Sequence, residues 1–133
     1  MKLPKRFMIV DDDRISNMLC EMACRRVSSA TEIKTFMDPE EALRFIDDAY
    51  LNEQLDTLTV LFLDINMPGI SGWEFLEHFK NYSQKIKQQF SIYILTSSIE
   101  QQDLERAKEH EFVNSLMAKP LSSESIRNIL IAE

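Results

Sequence analysis

The sequence predicts an α/β domain built on one parallel sheet with helices on both faces. Three observations carry this. Short apolar runs alternate with segments of helical period, strand then helix, five times along the chain. The run at residues 60–63 is unbroken apolar, which suits a strand buried on both faces. The apolar runs end in polar residues, among them Asp11, Asp64, Thr96 and Lys119. Such residues belong at the C-terminal edge of a parallel sheet, where the strands meet water.

Length and composition set the frame. The 133 residues favour one domain, and they suffice for a self-supporting core. A hydrophobic content of 44% beside 28% charged residues is ordinary for a soluble globular chain. The net charge of −7 argues against a general nucleic-acid or anionic-membrane binder. It permits a carboxylate-rich site that attracts a cation. Cys20 and Cys24 are the only cysteines and have no nearby histidine, so they are expected to pack a helix in a reducing compartment. The apolar run after Lys2, Lys5 and Arg6 is too short for a signal peptide or a membrane span, so a cytoplasmic location is expected.

Taken in order, residues 6–10 form the first strand, which runs into Asp11, Asp12 and Asp13. Ile15, Met18, Leu19, Met22 and Ala23 then recur at helical spacing, giving a helix over residues 14–27. Residues 31–37 alternate and are β-branched, which predicts a second, more exposed strand. Asp38-Pro39-Glu40-Glu41 starts a helix: Asp38 can cap and Pro39 suits the first turn. Ala42, Leu43, Ile46 and Tyr50 form its apolar face, and residues 51–58 read as a polar loop. Residues 59–63 are the third strand, ending in Asp64. Ser71-x-x-Glu74 has the form of a capping box, and the helix after it turns Phe75, Leu76 and Phe79 inward. Residues 81–89 read as a polar connection. The fourth strand covers residues 90–95 and runs into Thr96-Ser97-Ser98. A charged helix over residues 99–109 has Leu104 and Ala107 as inward positions. A short fifth strand, residues 115–118, ends in Lys119-Pro120, and Ser122 or Ser123 can cap a last helix. A single domain over residues 1–133, with no second or output domain, is expected.

Parallel strands share one C-terminal edge, so Asp11, Asp12, Asp13, Asp64, Thr96 and Lys119 converge on one rim. Two carboxylates ~4 Å apart repel by about 4 kcal/mol at an effective dielectric of ~20. One lysine cannot balance three of them, so either their pKa values rise or a cation binds. Hard oxygen ligands suit Mg2+ or Mn2+. A carboxylate, a hard divalent ion, an ammonium and a hydroxyl are the parts for phosphoryl transfer, with the carboxylate as nucleophile.

These residues resemble the receiver domain of bacterial two-component response regulators. The resemblance is carried by Val10-Asp11-Asp12, Leu63-Asp64-Ile65-Asn66-Met67-Pro68-Gly69, Ser71-Gly72, Leu95-Thr96-Ser97 and Lys119-Pro120, in the family's order and spacing. It covers essentially the whole chain. It implies a flavodoxin-like, doubly wound, five-stranded parallel sheet in the order 2-1-3-4-5 with five helices. By position it implies that Asp64 is the phosphoacceptor. Asp12, and Asp11 through water, would hold the metal together with Asp64 and the backbone carbonyl of Asn66. Thr96 would turn its hydroxyl onto the phosphoryl group, and Lys119, before a cis proline, would pair with a phosphoryl oxygen. The implied partners are a sensor histidine kinase or a histidine phosphotransfer protein and an unidentified downstream protein, with neither nucleic acid nor membrane bound directly.

The chain departs from the family at two positions. Leu116 stands three residues before the lysine where many members carry Tyr or Phe, and Phe112 stands where many carry Gly. Phe112 is expected to alter the loop before the fifth strand and to present a contact. Asp13 reads as a helix cap, and His78 and His110 read as solvated. The expected function is a phosphorylation-dependent signalling switch that dephosphorylates itself, without turnover of an external substrate. A phosphorelay intermediate is the alternative, and a phosphatase of the haloacid-dehalogenase type is a remote one. Those phosphatases usually need an acid two residues after the nucleophile, where this chain has Asn66. A receiver that acts unphosphorylated is a further reading, and the complete set of site residues argues against it.

Overall fold

The computed structural model describes residues 3–50 and 58–132. Its elements run β1 (Arg6–Val10), α1 (Arg14–Val27), β2 (Glu32–Phe36), α2 (Pro39–Tyr50), β3 (Thr59–Asp64), α3 (Gly72–Phe79), α4 (Gln84–Lys87), β4 (Phe90–Thr96), α5 (Gln101–Glu109), β5 (Val113–Ala118) and α6 (Ser123–Ala132). All strand pairs are parallel, in the order β2-β1-β3-β4-β5. The alternation of strand and helix therefore closes into the doubly wound sheet expected from the sequence.

Burial follows position in the sheet. Every residue of the central strand β3 is buried, whereas every residue of the edge strands β2 and β5 is half-buried or exposed. The pleat sends Met8, Val10, Leu61, Leu63, Ile92 and Ile94 to one face, where α2, α3, Ile86 of α4 and Ala107 of α5 cover them. Phe7, Ile9, Val60, Phe62, Tyr93 and Leu95 go to the other face, under α1 and α6. Each fully buried large apolar side chain contributes roughly 1.5–3 kcal/mol.

The helix starts follow their sequence signals. Asp13 accepts from the backbone N–H of Ile15 and Ser16, and Asp38 accepts from that of Glu40. Ser71 and Glu74 form the reciprocal capping box. Ser122 Oγ accepts from the N–H of Ser125 at the start of α6.

Other expectations change. The connection at residues 81–89 contains the helical turn α4, capped by Ser83, so there are six helices among the described residues, of which five are longer than one turn. Both edge strands and α5 differ by a residue or two from the sequence reading, β5 beginning at Val113 and α5 at Gln101. The apolar stripe of α1 is not its buried face. Ile15, Met18, Leu19 and Met22 are exposed, while Asn17, Cys20, Ala23 and Cys24 pack on the sheet. Small side chains on this face let α1 approach the sheet closely. The expected loop at residues 51–58 falls almost entirely outside the described residues. Among those residues no helix is long and apolar enough to cross a membrane.

Candidate functional site

The site lies where β1, β3, β4 and β5 end. One further ladder bond continues beyond each of β1, β3 and β5. Asp11 N–H donates to Phe36 O at 3.0 Å, Ile65 N–H to Leu95 O at 3.1 Å, and Lys119 N–H to Thr96 O at 2.8 Å. The side chains that follow therefore inherit the sheet's rigidity rather than a loop's freedom.

Asp11 is the most constrained of them. One carboxylate oxygen accepts from the N–H of Asp13 at 2.9 Å, and the other from Lys119 Nζ at 2.9 Å. Its backbone carbonyl accepts from the side-chain amide of Asn17. Asp64 is 3% exposed, and its carboxylate lies 3.4 Å from the same ammonium. Ligand atoms of Asp11, Asp12 and Asp64 all lie within 4.8 Å of one another. The lysine thus bridges two of three crowded carboxylates, from a position 108 residues after Asp11 in the chain.

The electrostatics follow from crowding and burial. Burial first, then the charge of Asp11, pushes the Asp64 carboxyl up to about 6, against the pull of Lys119 and of the Asn66 backbone N–H, which donates to it. Burial alone would lower the pKa of Lys119. The hydrogen bond and charge of Asp11, followed by those of Asp64, outweigh it and hold the ammonium above the usual lysine range. A buried rim with three hard oxygen donors and one cation can accept a small divalent ion.

The geometry also places the remaining residues. Asn66 is exposed on the β3–α3 loop two residues after Asp64, and its backbone N–H donates to the Asp64 carboxylate. Gly69 in this loop has a φ of +84°, a conformation that favours glycine. Gly72 permits a close approach, since a Cβ there would stand 2.6 Å from the backbone oxygen of Asp64. Thr96 is buried, and its hydroxyl is engaged away from the carboxylates: it donates to Ser98 O at 2.9 Å and accepts from Ser98 N–H at 3.2 Å. The Lys119–Pro120 peptide is cis.

Profile comparison decides the family. The response regulator receiver domain profile matches residues 7–131. The chain belongs to the response regulator receiver family. Among solved structures, this receiver is 26% identical to a two-component response regulator from Cytophaga hutchinsonii, with a TM-score of 0.86 over 98% of this chain and 97% of that one. A response regulator receiver protein from Dyadobacter fermentans DSM 18053 is 24% identical, with a TM-score of 0.84 over 96% and 95% of the two chains. The chemotaxis response regulator CheY4 of Vibrio cholerae is 22% identical, with a TM-score of 0.74 over 98% of each. The latter two likenesses show the fold alone. No curated protein sequence matches.

Phe112 is half-buried, with its ring centroid 5.6 Å from that of Phe79 and Lys87 over its ring, and it lines a surface groove. One sequence expectation about this receiver needs correction. His110 is not a solvated histidine. It is half-buried, its ring centroid lies 6.1 Å from that of Trp73, and its Nδ1 accepts from the N–H of Phe112. His78 is exposed, as expected. The role of Asn17 in holding Asp11 is hidden in the sequence behind the more apolar stripe of α1. The spacing Asn17, Cys20, Cys24 is the available signal, since it marks a second, small-residue face.

Proposed function

We propose that this receiver is a phosphorylation-dependent signalling switch with Asp64 as the acceptor. The observation that carries the reading is the trio of Asp11, Asp12 and Asp64 at the sheet edge, with Lys119 bridging Asp11 and Asp64. In the transfer step a carboxylate oxygen of Asp64 attacks phosphorus. The P–N bond of a phosphohistidine donor breaks, and the departing imidazole nitrogen takes up a proton. The product is an acyl phosphate. Lys119 follows the negative charge from Asp64 onto a phosphoryl oxygen, and the Thr96 hydroxyl leaves Ser98 to donate to another. Mg2+ or Mn2+ held by Asp11, Asp12, Asp64 and the Asn66 carbonyl would supply positive charge against the phosphoryl oxygens. Water attack at phosphorus returns inorganic phosphate and the free carboxylate.

The donor is a histidine kinase or a histidine phosphotransfer protein, and one surface suits it. Ile15, Met18, Leu19 and Met22 lie exposed along α1, with Met37 also exposed. Arg14, Met18, Met22 and Met37 line one groove beside α1. An exposed apolar patch beginning two residues after Asp13 fits a helical partner that must bring a histidine to the rim. Such a site lies in an aqueous compartment, with the cytoplasm as the natural setting. The phosphorylated state then either changes the binding of a downstream protein or passes its group to a second histidine. Rapid transfer to a phosphotransfer protein would identify the relay role.

Incubation with acetyl phosphate and Mg2+, followed by intact-mass measurement, tests the reading. One added phosphoryl group is expected, absent in Asp64→Asn. No gain, or an equal gain in the variant, rejects Asp64 as the acceptor.

A further inference from the structure

Position 116 is leucine, so no aromatic ring stands three residues before Lys119 to register a change at the site. Another ring system is built into this fold. Trp73 is the sole tryptophan and is 6% exposed. The Arg106 guanidinium lies 4.6 Å from the centroid of a Trp73 ring, and His110 is inclined to the indole by 32°. The two sides of this stack are held very differently.

Trp73 is tied to the phosphoacceptor strand. Its neighbour Gly72 donates its N–H to Ile65 O at 2.8 Å and abuts the backbone of Asp64, and the Ser71–Glu74 capping box holds the same turn. Helix α5, which carries Arg106, packs on the edge strand β5. Only Ala107 of its residues is buried, and Glu100 makes no side-chain capping bond. Its N-terminal end continues from the Ser98 turn, which the Thr96 hydroxyl organises through two hydrogen bonds. A cavity of about 580 Å3 lies between the β3–α3 loop, at Asn66, Met67 and Pro68, and Gln102, Asp103 and Arg106 of α5. The helix therefore has room to move toward the rim.

We propose that the Arg106–Trp73–His110 stack is a latch that releases when Asp64 is phosphorylated. The proposal rests on Asp64 being the acceptor. When the Thr96 hydroxyl turns to a phosphoryl oxygen, both of its bonds to Ser98 are lost together. The turn at residues 97–100 loses its organiser, α5 moves into the cavity, and the guanidinium leaves the indole face. Trp73 and Arg106, both residue types that dominate protein interfaces, then change their presentation on one surface. The latch takes the place of the missing ring at position 116.

The test pairs intact mass with acrylamide quenching of Trp73 fluorescence. Wild type, Arg106→Gln, Arg106→Lys and Thr96→Ala are each measured in Mg2+ with and without acetyl phosphate. In wild type, one added phosphoryl group is accompanied by a rise of about twofold or more in the quenching constant, because a face of the buried indole loses its cover. Arg106→Gln starts at the raised value and shows no further change on gaining mass. Arg106→Lys keeps a cation over the ring and behaves as wild type. Thr96→Ala lacks both bonds to Ser98 from the outset, so it starts at the raised value and gains mass without further change in quenching. A mass gain in wild type with unchanged quenching overturns the latch. So does a wild-type response in Arg106→Gln or Thr96→Ala, which would assign the signal to phosphate near the indole. Absence of any mass gain rejects the acceptor assignment itself, and the latch with it.

Discussion

Replacing Asp64 by asparagine should make the protein more stable at neutral pH while abolishing phosphorylation. Burial and the Asp11 charge raise the Asp64 carboxyl from 3.8 to about 6. The folded state therefore binds that proton more tightly than the unfolded chain. The stability this contributes is complete below about pH 4 and is lost as the pH rises through about 6. Above that range the folded protein holds the charge at a cost of about 3 kcal/mol, taking about 1.36 kcal/mol per pH unit of pKa change. The neutral amide of the variant would retain the shape and remove the cost. Urea denaturation in a chelator should then give Asp64→Asn an advantage of about 3 kcal/mol at pH ~7.5, equivalent to roughly 10 °C in Tm. The difference should shrink to near zero at about pH 4, where wild-type Asp64 is protonated when folded. Titrations of carboxylates remote from the rim are common to both proteins and cancel in the difference. Adding Mg2+ at the higher pH should stabilise wild type and narrow the gap. Equal stability at both pH values, or a less stable variant at pH ~7.5, would refute this account of the rim.

Lys119→Met removes the ammonium bridging Asp11 and Asp64, and at neutral pH without metal it should cost about 3 kcal/mol, measured by urea denaturation. It should also suppress the mass gain from acetyl phosphate. Gly72→Ala forces a Cβ to within 2.6 Å of backbone that cannot yield, and should lose at least about 2 kcal/mol. Gly69→Ala meets open space but a φ of +84°, and should lose only about 1–2 kcal/mol, which the same denaturation series resolves. Asp12→Ala should weaken Mg2+ quenching of Trp73 fluorescence by about tenfold or more in Kd, since one of three close carboxylates is gone; unchanged titration would remove Asp12 from the ion site.

The fold was legible because its signals are short-ranged. The apolar run through Leu63 marks a central strand within a handful of residues, and Ser71-x-x-Glu74 marks a helix start within four. Parallel topology then sends Asp11, Asp64, Thr96 and Lys119 to one edge, so the members of the site were legible with the fold. The buried face of α1 was less so. Ile15, Met18, Leu19 and Met22 satisfy a helical period wherever they point, and only the sheet face decides that Asn17, Cys20 and Cys24 fit against it.

The sequence by itself determined which elements form and which residues stand at the strand ends, because hydrophobic period and capping act over one or two turns. Tertiary structure decided which groups touch. It brought Lys119 onto Asp11 across 108 residues, turned the Thr96 hydroxyl toward Ser98, and laid Arg106 and His110 over Trp73. Those contacts depend on sub-ångström placement of separate elements, and no local pattern encodes such distances.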